Sequence, residues 1–138
     1  MTTQIDRKLE ELGLTLPEAA APVAAYVPVV EVNGLVHLSG QLPFKDGQEA
    51  ARLCGLMIVA QLKKHLGDLS RVKRIVKLGV FVNSHGDFTD QPKVANGASD
   101  LMEALFGDAG KHARSAVGVP VLPLGAAVEV DAVVKLAD

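Results

Sequence analysis

Residues 112–134 read HARSAVGVPVLPLGAAVEVDAVV. Two alternating stretches flank a turn that holds Pro120, Pro123 and Gly125. A period of two marks a half-buried strand, so Ala113–Val119 and Ala127–Val134 are expected to be strands. Upstream, Arg71–Val82 is rich in Val and Ile and reads as another. Tyr26–Glu31 and Leu35–Leu42 flank Asn33-Gly34, a dipeptide that favours a tight hairpin turn. Lys45-Asp46-Gly47 then turns the chain into a helix over Gln48–Leu66, stopped by Gly67. A loop over Ser84–Gln91 leads to a second helix that begins near Pro92 and ends at Phe106, before Gly107. The order β-β-α-β-α-β-β predicts an α+β fold, one sheet with two helices over one face. Ahead of it, Thr3 with Asp6 forms a capping signature, and Ile5, Leu9 and Leu12 follow at helical spacing up to Gly13. Pro17, Pro22 and an alanine-rich run complete the connection. The expected organisation is one domain over 1–138, with 1–23 as a helix-and-linker extension.

Composition narrows the functional classes. A chain of 138 residues suits a single core, and with 49% apolar but only 4% aromatic residues that core must be aliphatic. Fourteen Lys and Arg against sixteen Asp and Glu leave a formal charge of -2, which argues against bulk attraction to nucleic acid or anionic lipid. The single cysteine, Cys54, excludes an internal disulfide and fits a reducing compartment. The longest uncharged stretch, Ser115–Val128, contains two prolines and falls short of the ~20 apolar residues of a spanning helix. The charged N-terminus lacks an apolar signal core. A soluble cytoplasmic protein is expected.

Alternation splits each strand between two faces. Val36 and Leu38, Val76 to Val82 at even positions, Val117 and Val119, and Val128, Val130 and Val134 are expected to face the helices. Leu53 and Met57 on the first helix, with Leu101, Met102 and Leu105 on the second, would cover them. The opposite face would then hold His37, Ser39, Gln41, Lys73, Lys77 and Phe81, together with Arg114, Ala116, Gly118, Glu129 and Asp131. A polar outer face is ordinary for an antiparallel sheet. Yet Arg114 is followed by two small residues, which leave room beside a fixed cation, and Glu129 and Asp131 are expected about 7 Å apart on the neighbouring strand. The planar fork of an arginine matches a carboxylate bidentately. A bare sheet face is shallow, so a partner subunit would supply the second wall. The plainer alternative is a cross-strand ion pair of Arg114 with Glu129 or Asp131.

Several segments are familiar when taken together. Ala113-Arg114-Ser115-Ala116-Val117-Gly118-Val119, the Leu122-Pro123 turn and Val128-Glu129-Val130-Asp131-Ala132 come last. Before them, in order, stand Tyr26, Leu38-Ser39-Gly40-Gln41-Leu42-Pro43 and Leu78-Gly79-Val80-Phe81-Val82. From about Ala24 to Leu136 the chain resembles the RidA/YjgF reactive intermediate deaminase family, once called the L-PSP endoribonuclease family. The N-terminal helix points to a divergent subgroup. The resemblance implies a fold like Bacillus chorismate mutase: a mixed sheet with two helices on one face, three subunits around a central barrel, and ligand clefts between subunits. It implies a hydrolase of the 2-iminobutanoate/2-iminopropanoate deaminase kind, which converts 2-imino acids and their enamine tautomers to 2-keto acids and ammonia without metal or cofactor. By position, Arg114 matches the arginine that clamps the substrate carboxylate and Glu129 the glutamate that handles water. Ser39, Tyr26 and Asn96 match substrate-pocket residues. Ala116 stands where the family often has Cys, so no thiol chemistry is available there. The Phe44–Glu49 connection is shorter than in similar chains.

Other chemistries have weaker signatures. His37, His65, His85 and His112 lack metal-ligand spacing and cysteine partners. Cys54 falls on the apolar side of its helix. Lys63, Lys64, Arg71, Lys73, Arg74 and Lys77 place six of the fourteen cations within fifteen residues, which keeps an RNA-binding or endoribonuclease role as an alternative. Few aromatics are present to stack bases. A non-catalytic trimer that binds small carboxylates would need the same Arg114. In the enzyme, a glutamate beside Arg114 would have its pKa lowered unless burial opposed the shift.

Overall fold

The computed structural model describes residues 3–22, 24–42 and 47–138. The first helix, α1 (Gln4–Glu11), carries the expected capping box: Thr3 accepts from the Asp6 amide while the Asp6 carboxylate accepts from the Thr3 amide. Lys63 also bonds that carboxylate, and these donors hold it at a pKa of about 2. The hairpin of β1 (Val29–Val32) and β2 (Leu35–Gln41) turns on Asn33 and Gly34, whose φ angles of 51° and 74° both lie in the left-handed region. Then come α2 (Gly47–Leu66), β3 (Val72–Asn83), α3 (Gln91–Phe106), β4 (Ala113–Val119) and β5 (Val128–Leu136). Short 3-10 turns at Leu69–Arg71, Gly107–Gly110 and Pro123–Gly125 join some of them. Lys45 and Asp46 of the expected turn, with Pro43 and Phe44, lie outside the described residues.

The strands form one mixed sheet in the order β1-β2-β5-β3-β4. Only β3 and β4 run parallel, because α3 carries the chain across between them. Both long helices lie on one face. Ile58, Val59 and Leu62 of α2 and Met102 of α3 are fully buried with Val36, Leu78, Val128, Val130 and Val134 of the sheet. The helices approach closely at Gly97, where any Cβ would collide with the Gln48 carbonyl. Buried Gln61 donates to the Ala20 carbonyl at 2.8 Å, which ties the N-terminal linker to α2.

Three irregularities shift the expected faces. Ile75 pairs with Val134 and Lys77 with Val133, so Val76 is the extra residue of a bulge. Ile75 therefore takes the core position and Val76 is exposed. A second bulge at Ser39–Gly40, between the pairs Leu38/Ala132 and Gln41/Val130, turns Gln41 inward, where it is buried. The third change decides the site. In the parallel register Leu78 aligns with Arg114, Val80 with Ala116 and Val82 with Gly118. Arg114, Ala116 and Gly118 thus share the helix-covered face with those core residues, while Val117, and Val119 by alternation, take the open one. An edge strand beside a polar helix flank can carry a cation inward, and its valines outward.

Candidate functional site

Two clusters of chemistry-bearing residues result, one on each side of the sheet. The first lies between β4 and α3. Arg114 turns its side chain toward the helix, and its Nη1 donates to Asn96 Oδ1 at 2.9 Å and to Ser99 Oγ at 3.0 Å. Asn96 and Ser99 stand three apart and so share one helix flank. Ser99 Oγ lies 2.8 Å from His112 Nε2, and His112 Nδ1 lies 2.7 Å from the Gly110 carbonyl oxygen. A cleft of about 240 Å³ opens here, lined by Ser99, Glu103, Lys111, His112 and Arg114. Farther along β4, Ala116 leaves only a methyl group, and a Cβ at Gly118 would press on Gln91 and Ser84.

The second cluster is on the open face. Glu129 and Asp131 project from β5, and glycines make room for both: a Cβ at Gly40 would strike the Glu129 carboxylate, and one at Gly79 the Asp131 carboxylate. Burial, then the charge of Asp131, raises the pKa of Glu129 above its ordinary value. Asp131 is also raised by burial, against the opposing pull of the Gly79 amide and Lys77. Ser39 Oγ donates to the Val27 carbonyl at 2.8 Å, and its amide to Pro28. These bonds pin the segment after Tyr26 against β2; Tyr26 itself is half exposed.

The expected union of Arg114 with Glu129 does not occur within one chain. β3 lies between β4 and β5, so these strands are not neighbours. Glu129 aligns with Phe81 and through it with Val117, three residues beyond Arg114 on β4. Two strand spacings, roughly 10 Å, and the thickness of the sheet separate the side chains. Among the described residues, Arg114 forms no cross-strand ion pair with Glu129 or Asp131. Without the cation beside it, the Glu129 pKa rises where a neighbouring arginine would have lowered it. Of the residues expected at the site, Arg114, Asn96 and Ala116 belong to the β4–α3 cluster, while Ser39, Tyr26 and Glu129 belong to the β2–β5 side.

Sequence reasoning missed Ser99 and His112. The signal was present: His112 stands two before Arg114, and Ser99 three after Asn96. Gly40 and Gly79 were also overlooked as spaces for carboxylates. Three of the six clustered cations have partners of their own: Lys63 bonds Asp6, Arg71 lies 4.0 Å from Glu31, and Arg74 donates to the Lys111 carbonyl. Cys54 is buried in the core, and desolvation pushes its thiol up to about 12.

Residues 45–136 match the family model described as "YjgF/chorismate mutase-like, putative endoribonuclease". The chain is 51% identical to Protein TCP17 of Trypanosoma cruzi, over 96% of this chain and 94% of that one. It is 28% identical to a 2-iminobutanoate/2-iminopropanoate deaminase of Dermatophagoides farinae, over 89% and 94% respectively. Among solved structures, protein Atu1372 of Agrobacterium tumefaciens, of unknown function, superposes with a TM-score of 0.89 at 42% identity, covering 97% of this chain and 93% of that one. RidA from an Antarctic Psychrobacter superposes with a TM-score of 0.63 at 27% identity, over 86% and 94%.

Proposed function

The chain belongs to the YjgF/chorismate mutase-like family, and from that premise we propose that it hydrolyses small 2-imino acids to 2-keto acids and ammonia. The observation that carries this reading is the state of Arg114. Its guanidinium is held by two neutral acceptors, Asn96 and Ser99, and among the described residues no carboxylate pairs with it. An arginine so oriented and uncompensated is a receptor for a small carboxylate. Ala116 provides space beside it.

Because Arg114 and Glu129 face opposite sides of the sheet, the working cleft is built between copies, with Arg114 from one and Glu129 from another. The open face supports such assembly: Val30, Val32 and Val117 are exposed there, at 45%, 54% and 47%. Apolar residues at strand positions aimed at solvent suit a partner's sheet. We infer a homotrimer, as the family resemblance implies.

The chemistry is modest. Arg114 holds the carboxylate and so places the imine carbon. Glu129 takes a proton from water as the water oxygen bonds to that carbon. On a protonated imine this gives a carbinolamine; Glu129 returns the proton to its nitrogen, and as the C–N bond breaks the hydroxyl oxygen forms the C=O bond and gives up its own proton to Glu129, releasing ammonia and the 2-keto acid. Burial and the charge of Asp131 raise the Glu129 pKa and so oppose the lowering that a partner's Arg114 would bring, which keeps the carboxylate usable as a base. The relative from Dermatophagoides, named as a deaminase of this type, supports the substrate class. The engagement of Lys63, Arg71 and Arg74 by acidic side chains and a carbonyl favours this reading over a ribonuclease.

The test is to generate 2-imino acids in situ with an amino-acid oxidase and follow their consumption. Arg114→Ala is expected to lower kcat/KM by about 100-fold or more, the scale of a lost charge-assisted clamp. A wild-type protein inert toward small, aliphatic and acidic imino acids overturns the proposal. A non-catalytic carboxylate receptor would bind 2-keto acids and show that same inertness.

A further inference from the structure

Arg114 is the end of a hydrogen-bond chain whose direction can be worked out atom by atom. The Gly110 carbonyl can only accept, so the His112 Nδ1 beside it carries a proton. In the neutral imidazole Nε2 is then the acceptor, and the Ser99 hydroxyl donates to it. The remaining lone pairs of Ser99 Oγ are left for the Arg114 Nη1–H. The far end of the chain is fixed. A Cβ at Gly110 would collide with the Met102 carbonyl, so this turn is pressed against α3.

Nη1 carries two hydrogens, and the two bonds to Asn96 and Ser99 use both. A guanidinium presents two forks to a carboxylate, one between Nη1 and Nη2 and the other between Nη2 and Nε. The first is closed here. We propose that Ser99 and His112 are positioning residues: with Asn96 they occupy Nη1 and direct the substrate carboxylate to the Nη2–Nε edge of Arg114. This rests on reading Arg114 as the carboxylate clamp. Neither Ser99 nor His112 touches the reacting atoms. Their effect passes through the orientation of the guanidinium, which sets where the imine carbon lies.

The experiment measures binding of 2-oxobutanoate, a product of the proposed reaction class, by calorimetry, with steady-state kinetics alongside. Ser99→Ala and His112→Phe are each expected to raise Kd and KM about 3- to 10-fold, the scale of one ordinary hydrogen bond because the effect reaches the substrate only through the guanidinium, while kcat changes less than KM. Because the two act in series, the double variant should be no weaker than Ser99→Ala alone. Ser99→Thr keeps the hydroxyl and should restore binding. Three results overturn the positioning role alone: a Thr variant as weak as the Ala variant, additive losses in the double variant, or single variants within about twofold of wild type while Arg114→Ala abolishes binding. In that last case the clamp stands and only the positioning role fails. Unchanged binding in Arg114→Ala removes the clamp itself and this inference with it.

Discussion

At the scale of single residues, two glycines and two acids define the open-face cluster. Gly40 does not occupy the left-handed region, so an alanine fits its backbone, but the new methyl would lie where the Glu129 carboxylate sits. Gly40→Ala is therefore expected to fold normally and lose about 10- to 100-fold in turnover, since a displacement of about 1 Å has that effect on catalysis. Paired imine-consumption assays and thermal melts check this. Glu129 offers a prediction about pH. Its carboxyl binds a proton more readily folded than unfolded, so stability declines as pH rises from the ordinary carboxylate value through the raised one. Glu129→Gln removes that decline. The variant should melt no lower than wild type near neutrality, by a few tenths of a kcal/mol at most because the group is partly solvated, yet show no turnover. A variant that keeps full turnover would leave Glu129 without a role in the chemistry. Arg114 itself was legible from its motif. Its direction was not, because alternation counts faces correctly only while pairing is regular and the neighbouring strand is known.

At the scale of elements, the sequence marked every helix and strand to within a few residues, since caps, turn glycines and apolar periodicity are local. What escaped was the phase between them. The bulges at Val76 and at Ser39–Gly40 each insert one residue, and each inversion exchanges inside for outside along the rest of the strand. Nothing in a run such as Val72–Asn83 distinguishes a residue to be skipped from one to be packed. The helix pair behaves otherwise, because its geometry depends on one small residue. Gly97→Ala is expected to destabilise the fold by about 1–3 kcal/mol, the cost of forcing a methyl between tightly packed backbones. Urea titration with an unchanged m-value would read that loss. α3 carries Asn96 and Ser99 on the turns around this contact, so the same substitution should also weaken 2-oxobutanoate binding. Stability unaffected by Gly97→Ala would mean that the helices can part without consequence.

At the scale of the whole molecule, the sheet turns Arg114 toward one side and the Glu129–Asp131 pair toward the other, so the proposed clamp and base meet only between copies. Light scattering on the purified protein is expected to give a mass of about three chains; a monomer that still turns over imino acids would contradict a shared cleft. Val76, Val117 and Val119 were read as core, because a strand valine aimed at a helix and one aimed away from it look alike in sequence. A cleft shared between copies, as proposed, also reaches into inheritance. A cell with one gene copy lacking Arg114 and another lacking Glu129 makes only defective chains. In mixed assemblies, about one interface in four unites the intact arginine of one chain with the intact glutamate of the other. Such alleles should complement each other, whereas a copy that lacks both residues should rescue neither.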